Sequence, residues 1–551
     1  MGMYLNSVAP YMNYREMAAD PYYVDKSAMI KEFMETLGTP DKYICITRPR
    51  RFGKTVIANM LAAFFSKGMD SREIFQNLRI AETAGYERHL NRHDVIYIDC
   101  SVVPENCRSY RQYIQYISQG IKADLAEVYP YIEPDSGKSL WDLLMQICLK
   151  ENGKRFFFIL DEWDCVFHLS WVSAAEREKY LLFLRSLLKG RAYVELAYMT
   201  GILPIVKYSD GSELNMFAEY QMTTMERFSE YFGFTEQEVD RLYEVYTREK
   251  GDISESRLSY NVSRTDLREW YDGYHTFDGK RLYNPRSVIM ALKNNRVGNY
   301  WTGSGAYDSI FYYIQNDLAE VRDDLALMVA GERIPARIQE YAATAYCLES
   351  RDQIYSAMVV YGLLTYEDGK VFIPNRELMA KYEELLLHKE SLGYIYELAS
   401  LSNRMLYATL HGDTKTMAAI LQRAHDTETP ILAYNHETEL AAVVNLVYLA
   451  ARDEYHVERE DKAGKGYVDF IFYPYDPRKD GIILELKVDR GPEEAIRQIK
   501  ERDYALRFKG KAGERNRCGG RILAVGIGYD RGSKEHRCLV EELGKCKDII
   551  N

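Results

Sequence analysis

Gly53-Lys54-Thr55 stands where a short strand-like run, Lys42 to Pro49, gives way to a stretch with apolar residues at Val56, Met60, Ala63 and Phe64. Strand, tight loop and helix in that order are the setting of a phosphate-binding loop. Backbone N–H groups at the helix start face the anion, Lys54 reaches the outer phosphates, and the Thr55 hydroxyl can hold magnesium. The general pattern opens with a glycine, and here Arg48 fills that place. Further on, the apolar run Phe156 to Leu160 reads as a buried parallel strand that ends abruptly in Asp161-Glu162. In a nucleotide hydrolase such a pair divides its labour: Asp161 orients magnesium through its water shell, and Glu162 positions or deprotonates the attacking water. The bland alternative, that the two acids merely begin a loop, weakens beside the phosphate loop and another buried strand, Asp94 to Ser101. Tyr193 to Gly201 supplies a further strand ending in Thr200, where a group sensing the outer phosphate could sit.

A second constellation lies near the other end of the chain. Val468, Phe470 and Phe472 alternate with Asp469, Ile471 and Tyr473; after a turn rich in Pro, Asp and Gly, Ile482, Leu484, Leu486 and Val488 alternate with Ile483, Glu485 and Lys487. Glu485 and Lys487 therefore share a face. An antiparallel register that sets Asp469 opposite Glu485 would gather two carboxylates and an ammonium on one side of the sheet. Hard carboxylate oxygens suit magnesium, a bound metal activates water against a phosphodiester, and Lys487 steadies the developing charge. An exposed hairpin face with scattered charge is the rival reading. Arg507 to Arg521 is a basic stretch that either follows a phosphate backbone or is simply solvated.

The elements that must position these residues follow from the same patterns. Strands alternate with helical stretches such as Ser109 to Tyr129 and Ala174 to Gly190, which predicts a parallel α/β sheet covered by helices. Ligands of such sheets sit at the carboxyl ends of the strands, where Lys54, Asp161 and Thr200 all fall. Thr235 with Glu238 three residues on has the spacing of a capping box, so a new helical element starts there. Amphipathic helices and one hairpin signal, with Glu367-Asp368-Gly369 at its turn, occupy the stretch from about 304 to 412.

At 551 residues the chain exceeds what one core organises, so two to four domains are expected. A formal charge of -11 argues against a basic coat for indiscriminate nucleic-acid binding. No apolar run approaches the roughly 18 to 20 residues that cross a bilayer, and the N-terminus lacks a signal peptide's apolar core; a cytoplasmic protein without membrane partners is expected. Nine cysteines without a C-x-x-C pair fit a reducing compartment and no zinc site, and Cys45 and Cys100 read as small buried thiols.

Taken together, YYVDKSAMIKEFM, RPRRFGKT, FILDEWD, MTGILPI, YFGFTEQEV and WYDGYHTFDGKRLYNPRSV resemble the prokaryotic AAA-ATPase-like family, relatives of the AAA+ and STAND ATPases, over most of residues 10 to 300. In that family the loop itself looks like R-P-R-R-F-G-K-T, so Arg48 departs from the general pattern and not from the family's. The resemblance implies ATP bound by Arg50, Arg51, Phe52, Gly53, Lys54, Thr55 and Val56 with Asp161 and Thr200. Whether Arg48, Arg50 and Arg51 touch phosphates, meet a neighbouring subunit or are solvated stays open. Val24 to Ser27 lies near the adenine in such ATPases, and a helix cap at Asp25 explains it equally well. Trp270 to Pro285 belongs by resemblance to a lid or winged-helix region, its aromatics serving mainly as packing.

VDF, a turn and ILELK resemble the PD-(D/E)xK nuclease superfamily, in the position where this ATPase family commonly carries a nuclease-like domain. The resemblance makes Asp469 and Glu485 metal ligands, Lys487 the catalytic lysine and Glu439 an assisting ligand. Gln498 and Tyr504, on a helix from Pro492 to Phe508, become candidate substrate contacts. The expected organisation is an ATPase domain over 1–235, a lid or winged-helix region over 236–303, a helical connector over 304–425 and a restriction-endonuclease-like α/β domain over 426–551. The expected function is ATP hydrolysis with magnesium, its nucleotide state controlling a nuclease that cuts DNA or RNA with magnesium or manganese. Two rivals accompany it: a regulatory ATP switch whose C-terminal fold only binds nucleic acid or a protein, and an assembly ATPase that forms a homo-oligomer through an arginine finger.

Overall fold

The computed structural model describes residues 2–205, 214–223, 227–251, 262–301, 319–338, 350–388, 394–425, 437–463, 466–509 and 519–545. The chain divides into two units, one of Met1–Ile310 with Pro335–Leu378 and the other of Phe311–Ile334 with Met379–Asn551.

Five strands build the sheet of the first unit: β1 (Tyr43–Thr47), β2 (Val95–Asp99), β3 (Phe156–Asp161), β4 (Val194–Gly201) and β5 (Ala218–Tyr220). Their order is β2-β3-β4-β1-β5 and every pairing is parallel. All residues of β1 and β3 are buried, which is why those strands read as unbroken apolar runs without alternation. The register aligns the strand ends, with Asp161 beside Asp99 on one side and Thr200 on the other. On one face the helix Lys54–Phe65 buries Ile57, Met60 and Leu61 against Ile44, Ile46, Phe157, Ile159 and Tyr198. Each such side chain contributes about 1.5–3 kcal/mol, enough to anchor the helix start at the end of β1. The helices Tyr110–Val128, Leu140–Lys150 and Ala174–Leu188 also flank the sheet, and tyrosine hydroxyls stitch them to it: Tyr113 donates to the Cys100 carbonyl (2.7 Å) and Tyr180 to the Trp163 carbonyl (2.8 Å).

The capping box expected at Thr235 is present: Glu238 accepts the Thr235 N–H (2.8 Å) and its own N–H is taken by the Thr235 hydroxyl (3.3 Å) at the head of the helix Glu236–Gly251. Helix Arg264–Tyr271, a two-stranded pair of Tyr274–His275 with Arg281–Leu282, and helix Pro285–Asn294 follow. Leu242, Tyr246, Leu267, Tyr271, Tyr283 and Val288 form their common core, so the aromatics of this stretch are mostly packing. Phe277, 63% exposed, is the exception. The hairpin Thr365–Glu367 with Lys370–Phe372 turns at Asp368 and Gly369, both in the left-handed region (φ 49° and 77°), as its sequence required.

In the second unit β6 (Tyr455–Ala463), β7 (Gly466–Pro474), β8 (Gly481–Val488), β9 (Arg521–Asp530) and β10 (Glu535–Lys545) lie side by side in chain order. Only β8 and β9 are parallel, and the helix Pro492–Glu501 supplies the crossover that a parallel pair needs. Gly526 permits its close approach, since a Cβ there would lie 2.3 Å from the Pro492 carbonyl oxygen. The β7–β8 hairpin has no solvent face, against the rival reading of an exposed one: Ile471 and Ile483 bury against Ile496 and Ile499 of the crossover helix, while Phe470, Phe472 and Leu484 on the opposite face are buried as well. One expectation changes. The helix expected to reach Phe508 ends at Glu501, because Asp503 turns into the left-handed region (φ 54°), and Tyr504–Lys509 continues as a 3-10 turn.

Candidate active sites

The loop between β1 and the Lys54–Phe65 helix is shaped by two left-handed residues, Arg51 (φ 69°) and Gly53 (φ 90°). The second is a conformation glycine adopts freely and the first is strained, a feature typical of binding loops. Ile57 is the first residue whose N–H enters the helix, donating to the Gly53 carbonyl (3.0 Å). The N–H groups of Lys54, Thr55 and Val56 precede any intrahelical acceptor and carry the positive end of the helix dipole. They border a cavity of about 760 Å³ whose wall also includes Arg50, Arg51, Asp161 and Glu162. Lys54 is buried, with Nζ 3.2 Å from the Arg48 carbonyl, 3.1 Å from the Pro49 carbonyl and 4.0 Å from Glu162 Oε1. Burial pulls its pKa down, and the charges of Glu162, Asp164 and Asp161 push back.

Asp161 is pushed up to about 7, first by burial and then by the charge of Glu162; the Thr55 hydroxyl, as a hydrogen-bond partner, and Lys54 oppose the shift. One carboxylate oxygen accepts the Glu162 N–H (3.1 Å) and the other lies 3.5 Å from the Tyr97 hydroxyl. A buried carboxyl beside a hydroxyl at a phosphate loop is a hard-oxygen donor set, and it fits magnesium. Glu162 itself sits at φ 50°, a strained backbone that follows directly on the strand end, and burial raises its carboxyl too.

Not every expected residue reaches this cavity. Thr200 has the strand position predicted for it, but its fully buried hydroxyl donates to the Ile46 carbonyl of β1 (3.0 Å), inside the sheet. The three arginines separate. Arg50 and Arg51 border the cavity, whereas the Arg48 guanidinium is buried behind the loop, donating to the carbonyls of Thr47 (2.7 Å) and Tyr220 (2.8 Å) and lying over the Phe232 ring at 5.1 Å. Burial lowers its pKa to about 9. Arg48 thus braces β1 against β5, which is a use for a long side chain where other phosphate loops open with glycine. Asp25 accepts the N–H groups of Ser27 and Arg79, each at 2.8 Å, but it does not cap the helix Met29–Met34, which starts at Ala28 without a side-chain cap; Val24 beside it borders the cavity. Sequence reasoning missed the far wall, formed by Tyr22, Phe234, Ile289 and Met290, because these residues come from separate stretches of the chain with ordinary packing patterns. It also missed Asp164, which accepts the N–H groups of Ile202 (3.1 Å) and Leu203 (2.9 Å) and so holds the turn after β4.

The second site lies on β7 and β8. Their paired residues, Phe470 with Leu484 and Ile471 with Ile483, have the register that sets Asp469 opposite Glu485. Asp469 stands one step beyond the last backbone pair, and its carboxylate accepts the Leu486 N–H (2.7 Å) in place of a ladder partner. Lys487 Nζ lies 3.1 Å from Glu485 Oε1, and the Gln498 amide donates to the same oxygen. Glu485 Oε2 is buried with no hydrogen-bond partner. Burial and the charge of Asp469 push Glu485 up to about 7, against the pull of Lys487. An orphaned buried carboxylate oxygen next to a second carboxylate fits a divalent cation. Among the described residues no group of three or more His, Cys, Asp or Glu side chains forms a metal cluster. The expected assistant, Glu439, falls on the helix Glu437–Val447 with its side chain outside the described residues. Tyr504 is fully buried, 3.3 Å from the Gln498 amide, so it supports Gln498 from the core and offers no surface to a substrate. Most of the basic stretch from Arg507 to Arg521, residues 510–518, also lies outside the described residues; at its ends Arg507 pairs with Glu458 (3.5 Å) and Arg521 with Asp480 (2.7 Å).

Comparison with known proteins matches two segments of the chain. Residues 10–209 match the family described as Predicted AAA-ATPase, and residues 436–527 match the PD-(D/E)XK nuclease superfamily. A protein of Azotobacter chroococcum mcd 1, described as an uncharacterized protein in the vnfD 5' region, is 23% identical over 95% of this chain and 96% of its own. Among solved structures, the Walker-type ATPase paby2304 of Pyrococcus abyssi is similar at a TM-score of 0.33 and 13% identity, covering 65% of this chain and 94% of that one. The Aeropyrum pernix ORC2 protein in ADPNP-ADP complexes gives a TM-score of 0.32 and 12% identity over 68% of this chain and 93% of that one. Among the described residues no helix is long and apolar enough to cross a membrane. This polypeptide therefore carries a predicted AAA-ATPase segment and, toward its C-terminus, a PD-(D/E)XK nuclease-superfamily segment.

Proposed function

We propose that the protein binds and hydrolyses ATP at the first site and that its nucleotide state controls a metal-dependent nuclease at the second, acting on DNA or RNA in the cytoplasm. The observation that carries the reading is the convergence of Lys54, Thr55, Asp161 and Glu162 on one cavity beside the unclaimed amides of a helix start. In this scheme the amides of Lys54 to Val56 hold the inner phosphates, and Lys54 exchanges its two carbonyl partners for an outer phosphate. Thr55 and Asp161 are the residues that would hold magnesium, and Glu162 orients the attacking water or takes its proton. At the second site Asp469 and Glu485 would hold the cation, and Lys487 turns from Glu485 toward the reacting phosphodiester. A divalent cation supplies charge neutralisation at the triphosphate and polarisation at the phosphodiester.

The test is incubation of plasmid, linear DNA and RNA with magnesium or manganese, with and without ATP, using wild type, Lys54→Ala and Lys487→Ala. Lys54→Ala is expected to abolish ATP turnover, and Lys487→Ala to abolish cutting while sparing turnover. Unchanged metal-dependent cutting in Lys487→Ala overturns the lysine's role. Calorimetry of folded protein that detects no binding of nucleotide with magnesium overturns the first site altogether.

A further inference from the structure

A phosphate loop works only if its amides face inward, and that requires its carbonyls to be occupied elsewhere. The partners of those carbonyls are unusual. Lys54 Nζ takes the carbonyls of Arg48 and Pro49 (3.2 and 3.1 Å), and the Gly233 N–H, at the entry to the lid, takes that of Phe52 (3.2 Å). The Arg50 carbonyl accepts the indole N–H of Trp301 at 3.0 Å, from a residue 251 positions away in sequence. Trp301 is 1% exposed and packs beside Gly362, whose own approach to Pro49 is so close that a Cβ there would lie 2.7 Å from the proline Cβ.

One buried oxygen gathers the backbone around Trp301. Glu377 Oε1 accepts the Trp301 N–H (2.9 Å), the Tyr300 N–H (2.6 Å) and the Ser287 hydroxyl (3.0 Å), while Oε2 is buried with no partner. Ser287 belongs to the helix Pro285–Asn294, which borders the nucleotide cavity through Pro285, Arg286, Ile289 and Met290. One carboxylate therefore links the two sides of that cavity, the lid helix directly and the loop through Trp301. A carboxyl with 1% exposure and, among the described residues, no ion-pair partner is costly to bury in its charged form.

We propose that Trp301 and Glu377 are positioning residues of the nucleotide site: Trp301 holds the Arg50 carbonyl outward so that the loop amides face the phosphates, and Glu377 locks Trp301 to the lid helix that closes the same cavity. This rests on the reading of the cavity as an ATP site. Neither residue touches the nucleotide; each acts through the loop's backbone or the lid helix.

The test compares the full-length wild type with Trp301→Phe, Glu377→Gln and Glu377→Leu, measuring affinity for a non-hydrolysable ATP analogue with magnesium, the melting temperature without nucleotide, and amide hydrogen exchange of the loop peptide. Trp301→Phe keeps the packing and loses the donor, so affinity is expected to fall about tenfold and exchange in the loop to rise. Glu377→Gln keeps an oxygen for all three donors and places its amide where Oε2 already lacks a partner, so it should rescue affinity to within about twofold of wild type. Glu377→Leu removes the acceptor and should lose at least as much affinity as Trp301→Phe. The proposal is overturned if Trp301→Phe binds the analogue with unchanged affinity, whatever its melting temperature, or if Glu377→Gln is as impaired as Glu377→Leu. A wild-type protein that binds no nucleotide points instead to failure of the ATP reading itself, and the two failures are thereby told apart.

Discussion

The two candidate sites solve one electrostatic problem in opposite ways. Each buries a carboxyl beside a second acid, Asp161 next to Glu162 and Glu485 near Asp469, and in each the buried group is pushed up to about 7. Each also buries a lysine. In the first site Lys54 rests on the backbone carbonyls of Arg48 and Pro49, with its nearest carboxylate at 4.0 Å, and the cavity in front of it stays open at about 760 Å³. In the second, Lys487 rests directly on Glu485 at 3.1 Å, and Gln498 closes over the same oxygen. A site for a bulky polyanion can park its cation on neutral acceptors, because the anion brings its own charge. In the proposed scheme a small cation site has no such guest, so its lysine and carboxylate would pair with each other until metal and substrate arrive.

The sharpest way to break this comparison is to remove one acid at a time. Glu162→Gln is expected to lower ATP turnover by about a hundredfold or more while leaving ATP affinity nearly intact, since only the attacking water loses its partner. Glu485→Gln should lower cutting by a similar factor without slowing turnover. Loss of ATP turnover in Glu485→Gln would mean that the sites are not separable in this way.

A pH series probes the shared feature. Since both buried carboxyls must be ionised to hold a cation, each activity should fall roughly tenfold between pH 8 and pH 6, with the break near 7. The stability sign runs the other way. Their folded pKa values lie above the unfolded values, so the fold binds extra protons over that interval, and metal-free protein should melt at lower temperature as pH rises from about 4 through 7. Added manganese should then raise the melting temperature more at pH 8 than at pH 6. Melting curves that move with neither pH nor manganese would show that these carboxyls are not the binding groups.

The smallest effect is expected at Thr200. Thr200→Val removes one hydroxyl donor from an Ile46 carbonyl that the parallel β1–β4 pairing still serves, and should cost about 0.5–1.5 kcal/mol of stability, with turnover changed by less than about threefold. A hundredfold loss of turnover at unchanged stability would instead assign Thr200 the phosphate-sensing role that its position at the end of β4 suggests.

Local order was largely legible in the chain itself. The buried strands announced themselves as apolar runs, Thr235 with Glu238 as a capping box, and the Asp469, Glu485 and Lys487 cluster by alternation along neighbouring strands, because these patterns reflect periods of a few residues. Where the patterns misled, a single residue's backbone had changed the element: Asp503, in the left-handed region, cut the crossover helix short.

What the sequence by itself determined is which chemical groups exist and which lie on one strand end or one strand face. Lys54, Thr55, Asp161 and Glu162 could be named from their types and flanking runs, since a phosphate loop and an acid pair at a strand end are local arrangements. Only the tertiary structure decided which groups remain available: that Arg48 turns behind the loop, that Thr200 spends its hydroxyl on Ile46, and that Trp301 and Glu377 reach the loop from far along the chain. The physical reason is that a buried polar group must find its partner wherever folding brings one, and that partner leaves no periodic mark in the sequence.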